Sequence, residues 1–433
     1  MSKRYAFWRD STGKPCRNDK GKYTPKHLLA ELGEKASVGS EGQTQWAGFD
    51  PAIFEDAIQD MAVILGPDGE QLNSIDCGEI IRHASRLVIK KQGGGKPIPP
   101  LVILKQADIL AAEFFRKPPA RYILISSLSI RSLPTEFIQF KECKISQVKR
   151  KKYTLPEIFR EESFSPPGYT CIAVRTKGRS IHEAANRAFE ALGVVRGLWN
   201  LFATFRGWWF GDPRNKPLGE VHSGQFHTMH FPDRKPIEDF YWYDREYQTQ
   251  YQLFEPTKGW EDLEKNREWA FGKLRRLPYR VELIDILNRY SIAMDHLDHN
   301  VSALQLWSIL EKITDTIGAK YDQTISRGAW SFSNTRIARE FAHSLRIRRN
   351  RYVHLSEAGA KTDRAALLMK SFVDDHLVRL LRNDFKVKTL KEYGKQLDLP
   401  RNIETLKARK RRLEDTIQIL KKWKSRERKK KYL

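Results

Sequence analysis

Arg346-Ile347-Arg348-Arg349-Asn350-Arg351-Tyr352-Val353-His354 is the stretch on which the reading of this chain turns. Four arginines, an asparagine and a histidine fall within nine residues that otherwise read as helix. Guanidinium groups grip phosphate oxygens as planar forks, and an imidazole moves protons near neutral pH. Asn350 precedes His354 by four residues, which puts both on one helix face and lets the amide orient the ring. Arg349 and His354 stand five residues apart, about 140° round a helix that advances ~100° per residue. One straight helix cannot aim both at a single atom, so a bend or a second protomer has to complete such a site. A basic, solvated helix with a chance histidine is the plain alternative.

The flanking sequence narrows the choice. Ser302-Ala303-Leu304-Gln305-Leu306-Trp307-Ser308-Ile309-Leu310-Glu311-Lys312-Ile313 lies upstream, with a spacer of roughly thirty residues between. An A-L-x-L-W-x-x-L-E helix followed by a helix ending in R-N-x-x-x-H resembles the HEPN superfamily, most closely its Apea-like branch. The resemblance runs from near Tyr279 to Arg382 and does not reach the N-terminal half. It implies an all-helical domain that dimerises and often acts as a metal-independent endoribonuclease, although some members only bind nucleic acid or serve as scaffolds.

On that resemblance His354 would accept the proton of a ribose 2′-hydroxyl or donate one to the leaving 5′-oxygen. Arg349, helped by Arg348, would hold the scissile phosphate, and Asn350 would fix the ring or bond the phosphate. The ends expected are a 2′,3′-cyclic phosphate and a 5′-hydroxyl; DNA lacks the attacking group and would survive. Glu311 is expected to hydrogen-bond Arg349 or His354, with a solvent-facing helix glutamate as the alternative. Arg346 and Arg351 join the RNA-binding candidates. Enzymes of this resemblance often serve as toxins or antiviral effectors, which would make the N-terminal region a sensor of some trigger ligand or protein.

Composition fits a polyanionic partner. The chain has 433 residues, a formal net charge of +24 and a pI near 9.8. Such an excess favours nucleic acid, RNA here, through counterion release along a phosphate backbone. No apolar run approaches the ~18–20 residues that span a bilayer; the longest, Leu198 to Phe210, is broken by Asn200, Arg206 and Gly207. Met1–Asp10 lacks a secretory apolar core, so a cytoplasmic protein without membrane contact is expected. The four cysteines, Cys16, Cys77, Cys143 and Cys171, form no C-x-x-C pair and read as reduced thiols. No cofactor is expected, and no metal: His222, His227 and His230 alternate as in a strand without a cysteine or carboxylate beside them in sequence. Asp295-His296-x-Asp298-His299 reads as a polar helix end.

The organisation expected is α+β: an N-terminal mixed α/β region over residues 1–255, with a possible sub-boundary near 150–168, then an all-α HEPN-like bundle over 256–433. Ala57–Leu65, Leu87-Val88-Ile89, Leu101–Leu104 and Tyr122–Ile125 read as short strands. Lys91–Pro97 is rich in glycine but lacks phosphate-loop spacing and reads as a hairpin tip. Tyr169–Arg175 reads as a buried strand, and Ser180 as the cap of a helix carrying Ala184, Ala188, Ala191, Leu192, Val195 and Leu198. Trp199, Phe202, Phe205, Trp208, Trp209 and Phe210 extend its aromatic face toward the core.

Beyond Pro256 helices are expected at Asp262–Leu277, Tyr279–His299, Val301–Ile317, Thr335–His354, Asp363–Arg382 and Ile403–Lys424. Val301, Leu304, Trp307, Leu310 and Thr314 form the inner stripe of the third. Residues 401–433 hold fourteen Lys/Arg against four acidic residues. They read either as an RNA-gripping arm, with Lys421, Lys422 and Lys424 in contact, or as a solvated face.

Overall fold

The computed structural model describes residues 4–9, 15–16, 24–40, 43–46, 50–69, 71–156, 168–203, 217–243, 253–256, 259–319, 321–355 and 362–430. The architecture is α+β, with sheets and helices first and helices alone thereafter. The chain begins with β1 (Ala6–Arg9), β2 (Pro15–Cys16), α1 (Lys26–Glu34), β3 (Ala36–Val38), β4 (Thr44–Trp46), α2 (Pro51–Asp60), β5 (Ala62–Ile64), α3 (Ser74–Gln92) and α4 (Pro100–Arg116). β1 is central to an antiparallel sheet of order β2-β1-β5, and β3 pairs with β4. Trp8, Leu29, Ile58, Ile81, Ile103 and Phe114 belong to one buried cluster confined to this part of the chain.

Two of the expected strands here are helical. Leu87-Val88-Ile89 lies inside α3 and Leu101–Leu104 opens α4. Apolar runs of three or four residues are too short to reveal their period; the caps decide. The Asn73 side chain accepts from Asp76 N at 2.9 Å, and Gly93 closes α3 in the left-handed region at φ 80°. Ala57–Leu65 divides between the end of α2 and β5. Lys91–Pro97 is accordingly a helix–helix link and not a hairpin tip. A Cβ on Gly94 would stand 2.5 Å from the Ala36 carbonyl oxygen, so no side chain fits there.

The next elements are β6 (Ala120–Leu128), β7 (Phe137–Phe140), β8 (Cys143–Gln147), β9 (Thr170–Gly178), α5 (Ile181–Phe202), β10 (Phe226–His230) and β11 (Pro236–Tyr243). The strands form one antiparallel sheet in the order β11-β10-β6-β9-β8-β7. β8 and β9 pair directly, so residues 150–168 connect two neighbouring strands of a single sheet. Ser180 caps α5 as expected, its Oγ accepting from Glu183 N at 2.8 Å. Phe205 and Trp208–Phe210 lie outside the described residues; Trp199 is fully buried.

Among the described residues eight α-helices follow: α6 (Trp260–Leu274), α7 (Arg280–Asp295), α8 (His299–Ile313), α9 (Tyr321–Gly328), α10 (Thr335–Leu355), α11 (Thr362–Arg382), α12 (Leu390–Leu397) and α13 (Ile403–Lys430). The inner stripe of α8 is Ser302, Leu306, Trp307, Ile309, Leu310 and Ile313; Val301 and Leu304 are half-buried. One hydrophobic core runs from β6 to α12 and crosses residue 255 without a break. No helix among the described residues is long and apolar enough to cross a membrane.

α5 lies between the sheet and the bundle. It can do so because Gly193 and Gly197 face α7: a Cβ on Gly197 would stand 2.6 Å from the Leu287 carbonyl oxygen, and one on Gly193 only 1.9 Å from Asn288 Oδ1. In an exposed helix Gly→Ala would stabilise by about 1 kcal/mol. Here overpacking reverses the sign, and Gly197→Ala should destabilise by about 1–3 kcal/mol. A urea titration checks this; an unchanged or raised midpoint would show that the helices separate freely.

Beside these glycines Arg196 is buried and chelates the Asp295 carboxylate, with Ser223 Oγ at 2.7 Å from Nη1 and His222 Nδ1 at 3.2 Å from Asp295. Burial alone would raise the Asp295 pKa; Arg196 and His222 outweigh it and hold the carboxyl below its usual value. His227, bonded to Ser126 Oγ at 2.8 Å, has its imidazole pushed down to about 4 by burial, reinforced by Arg196. The unfolded chain binds that proton near pH 6.5 and the folded one only near pH 4. Stability is therefore full above pH 6.5 and declines as pH falls toward 4, by on the order of 3 kcal/mol from this group. Urea midpoints at pH 7 and pH 4.5 should differ less in His227→Gln than in the wild type; equal differences would acquit His227.

Candidate active site

α10 is a single helix with no interruption from Thr335 to Leu355. Asn334 Oδ1 accepts from Ile337 N at 3.2 Å at its start, and Ala338, Ala342 and Leu345 form its buried face. Arg349 lies one turn beyond Leu345 on that side and is half-buried. Its Nη1 donates to Tyr321 Oη at 2.7 Å and to Asn350 Oδ1 at 3.1 Å, and its guanidinium carbon stands 5.3 Å from the Tyr321 ring centroid. The Tyr321 ring meets Trp307 edge-on, centroids 6.4 Å apart, and the Trp307 indole N–H donates to Glu311 Oε1 at 2.9 Å.

The two sequence motifs are thus joined in space, but by different bonds than expected. Glu311 serves the Trp307 indole, and among the described residues no contact links it to Arg349. Asn350 Oδ1 accepts from Arg349. A carboxylate four residues after a tryptophan on one helix is its natural acceptor, which is why Glu311 is taken up locally. His354 occupies the last turn of α10, and its side chain lies outside the described residues. Tyr321, which holds Arg349, was not legible in the sequence because α9 has only eight residues and the tyrosine meets the arginine through tertiary packing alone.

The electrostatics single out Arg349. Arg346 pairs with Asp322 at 3.3 Å, Arg327 with Asp398 at 2.7 Å, and Arg379 with Asp375 at 2.8 Å. Among the described residues no carboxylate pairs with Arg349. Its partners are neutral oxygens, and its Nε is enclosed with no acceptor. Leaving a buried donor unsatisfied costs about 1–3 kcal/mol, and a cation without a counterion retains its attraction for an anion. Arg348 and Arg351 are exposed. Tyr352 Oη donates to Asp298 Oδ2 at 3.2 Å, tying the end of α10 to the cap of α8, where Asp298 also accepts from Asn300 N at 2.8 Å.

The remaining candidates lie elsewhere. Lys421, Lys422 and Lys424 are exposed on α13, whose surface is open through residue 424 apart from half-buried Leu406. His230 is bonded to Thr228 Oγ1 at 2.9 Å and His222 to Asp295, so with His227 the three histidines have separate partners. Among the described residues no three metal-ligating side chains converge. A groove of about 460 Å³ between α7 and α8 is lined by Arg289, Ile292, Gln305, Ser308, Lys312 and Ile317. Both of its cations are bonded to Asp285, which leaves it little spare charge.

No family model, curated protein or solved structure matches the chain.

The Arg349–Tyr321 bond is open to a double-mutant cycle. Tyr321→Phe keeps the ring and removes the hydroxyl, and Arg349→Met removes the charge. A hydrogen bond to a charged group is worth about 1.5–3 kcal/mol, so a coupling of at least ~1 kcal/mol in unfolding free energy is expected after allowance for partial exposure. Additive effects would dissolve the pair.

Proposed function

We propose that the chain is a metal-independent endoribonuclease of HEPN type, leaving 2′,3′-cyclic phosphate and 5′-hydroxyl ends. The observation that carries this reading is Arg349 itself: held by Tyr321 and Asn350 and, among the described residues, paired with no carboxylate. A guanidinium fixed by neutral oxygens is oriented in advance for a phosphate and for the charge that grows on it during transfer. His354 is the proton-transfer group, five residues on.

The active unit in this reading is a homodimer. α10 has no bend that would bring positions 349 and 354 to one side, and an isologous pairing would bring Arg349 of one protomer toward His354 of its partner. Two sets of Arg348 and Arg351 would then stand near one another, which requires an open cleft or a bound polyanion between them. Cytoplasmic RNA is the substrate proposed, and growth arrest as a toxin or antiviral effector the physiological role. The N-terminal region then receives the trigger.

Purified protein incubated with total RNA in EDTA should produce cyclic phosphate ends and leave DNA intact. Arg349→Ala and His354→Ala should each lower the rate ~10²–10⁴-fold with folding retained. Mixed after subunit exchange, the two variants should recover part of the activity through dimers that carry one intact Arg–His pair. Wild-type cleavage by His354→Ala would refute the assignment, and RNA binding without any cleavage would make the chain a scaffold.

A further inference from the structure

The six-stranded sheet has two unlike faces. Leu124, Ile145, Ile172 and Val174 point toward α5 and join the main core. Ile123, Ile125 and Ala173 point the other way, where Tyr153 and Leu155 cover them. That cover stops short of one end of the sheet. There Lys144 of β8 lies directly across from Arg175 of β9, and Lys177 of β9 directly across from Arg121 of β6. Arg175 in turn is opposite Ile123, so all four cations share the face that α5 does not touch. Arg121, Arg175 and Lys177 are exposed and Lys144 half-buried.

Like charges directly opposite one another in an antiparallel pair are destabilising. Two such pairs stand on adjacent rungs, within a patch of about 10 Å by 7 Å, and repel one another. Among the described residues no carboxylate relieves them. Lys144 Nζ instead rests 3.8 Å from the centroid of the Phe137 ring at the sheet edge, and Arg175 Nη1 donates to Ser146 Oγ at 2.7 Å. Further positive charge converges on the same face. Tyr153 brings the turn Arg150–Lys152 onto it, and the Arg234 guanidinium stands 5.8 Å from the Tyr153 ring centroid.

We propose that this face of the sheet, centred on Arg121, Lys144, Arg175 and Lys177, is a second nucleic-acid-binding surface that holds the phosphate backbone of single-stranded RNA. A single strand suits it better than a duplex. Among the described residues the face presents no element to enter a groove, while the cations can follow a backbone. The inference extends the reading above to the form of the RNA, but it requires only binding. It places that binding across α5 from Arg349.

The test uses the full-length protein and a fluorescent single-stranded oligodeoxynucleotide, which lacks the 2′-hydroxyl and reports binding alone. Each phosphate contact contributes about 0.7 to the slope of log Kd against log salt for single strands. Arg121→Gln/Arg175→Gln should therefore lower the slope by about 1.4 and weaken binding ~25-fold at 0.1 M salt. Arg121→Lys/Arg175→Lys keeps the charge and should stay close to wild type, which separates charge from damage to the strands. An unchanged slope and Kd in the Gln variant would overturn the proposal. So would an equal loss for a duplex of the same length, or a loss confined to anionic lipid vesicles. Weakened binding in the Gln variant of a protein that never cleaves RNA would sink the nuclease reading alone; cleavage by a protein whose binding ignores the patch would sink this one alone.

Discussion

The close contact of α5 with α7 at Gly193 and Gly197 governs the geometry of everything that follows in the chain. Two glycines in a helix interior cost about 1 kcal/mol each relative to alanine, and the return is an approach that no side chain would permit. That approach brings the end of α7 within reach of Arg196, so that Asp295 can close a buried ion pair with it. A charge pair removed from water holds only when its geometry is good and its remaining donors are satisfied. Ser223, His222 and the Val221 carbonyl meet that condition. With Asp295 fixed, the turn to α8 is fixed, and with it Asp298, which receives Tyr352 from the end of α10. The register of α8 then sets Trp307 against Tyr321, and Tyr321 against Arg349.

Along this chain of contacts the charged groups are treated in two ways. Arg196, Arg267 and Arg327 are buried and matched to Asp295, Glu264 and Asp398. Their role is structural, and removing either partner would strand a charge. Arg349 is half-buried, and among the described residues no carboxylate pairs with it. A half-buried arginine held only by neutral oxygens is a place where function is expected to lie, because an anion from outside would complete what the fold leaves open.

How much of this could be read in the sequence depended on the length of the signal. α10 and α11, 21 residues each, were placed to within one residue because five or six turns of apolar spacing leave no competing period. Tyr122–Ile125 and Tyr169–Arg175 were legible as strands through their β-branched and apolar content. Leu87–Ile89 and Leu101–Leu104 have the same local composition and are helical, since their identity is set by Asn73, Gly93 and Pro100 at the helix ends rather than by the apolar residues. At the candidate site Arg349 and Asn350 were legible and Tyr321 was not. The tyrosine sits 28 residues upstream of the arginine in a helix of two turns, and only tertiary packing joins them. The cation pairs of the sheet were hidden for a related reason: Lys144 and Arg175 become neighbours only once the register of β8 on β9 is known.

The cations of this chain also differ in how firmly they are held, and that bears on what each could contribute. Arg121, Arg175 and Lys177 keep most of their hydration, so their attraction for a phosphate is screened over about 8 Å at physiological salt and weakens as salt rises. It acts alike on every phosphate and serves to gather and retain a strand. Arg349 is half enclosed, its fork fixed by a phenol and an amide, and an anion placed against it would be screened far less. On the proposed reading, binding strength comes from the exposed set, while the stabilisation that matters for chemistry comes from the enclosed arginine. Raising salt should therefore release RNA from the protein well before it disables the bond-breaking step on RNA that remains bound. An arginine that gained its affinity for phosphate merely by being one more surface charge would show no such separation.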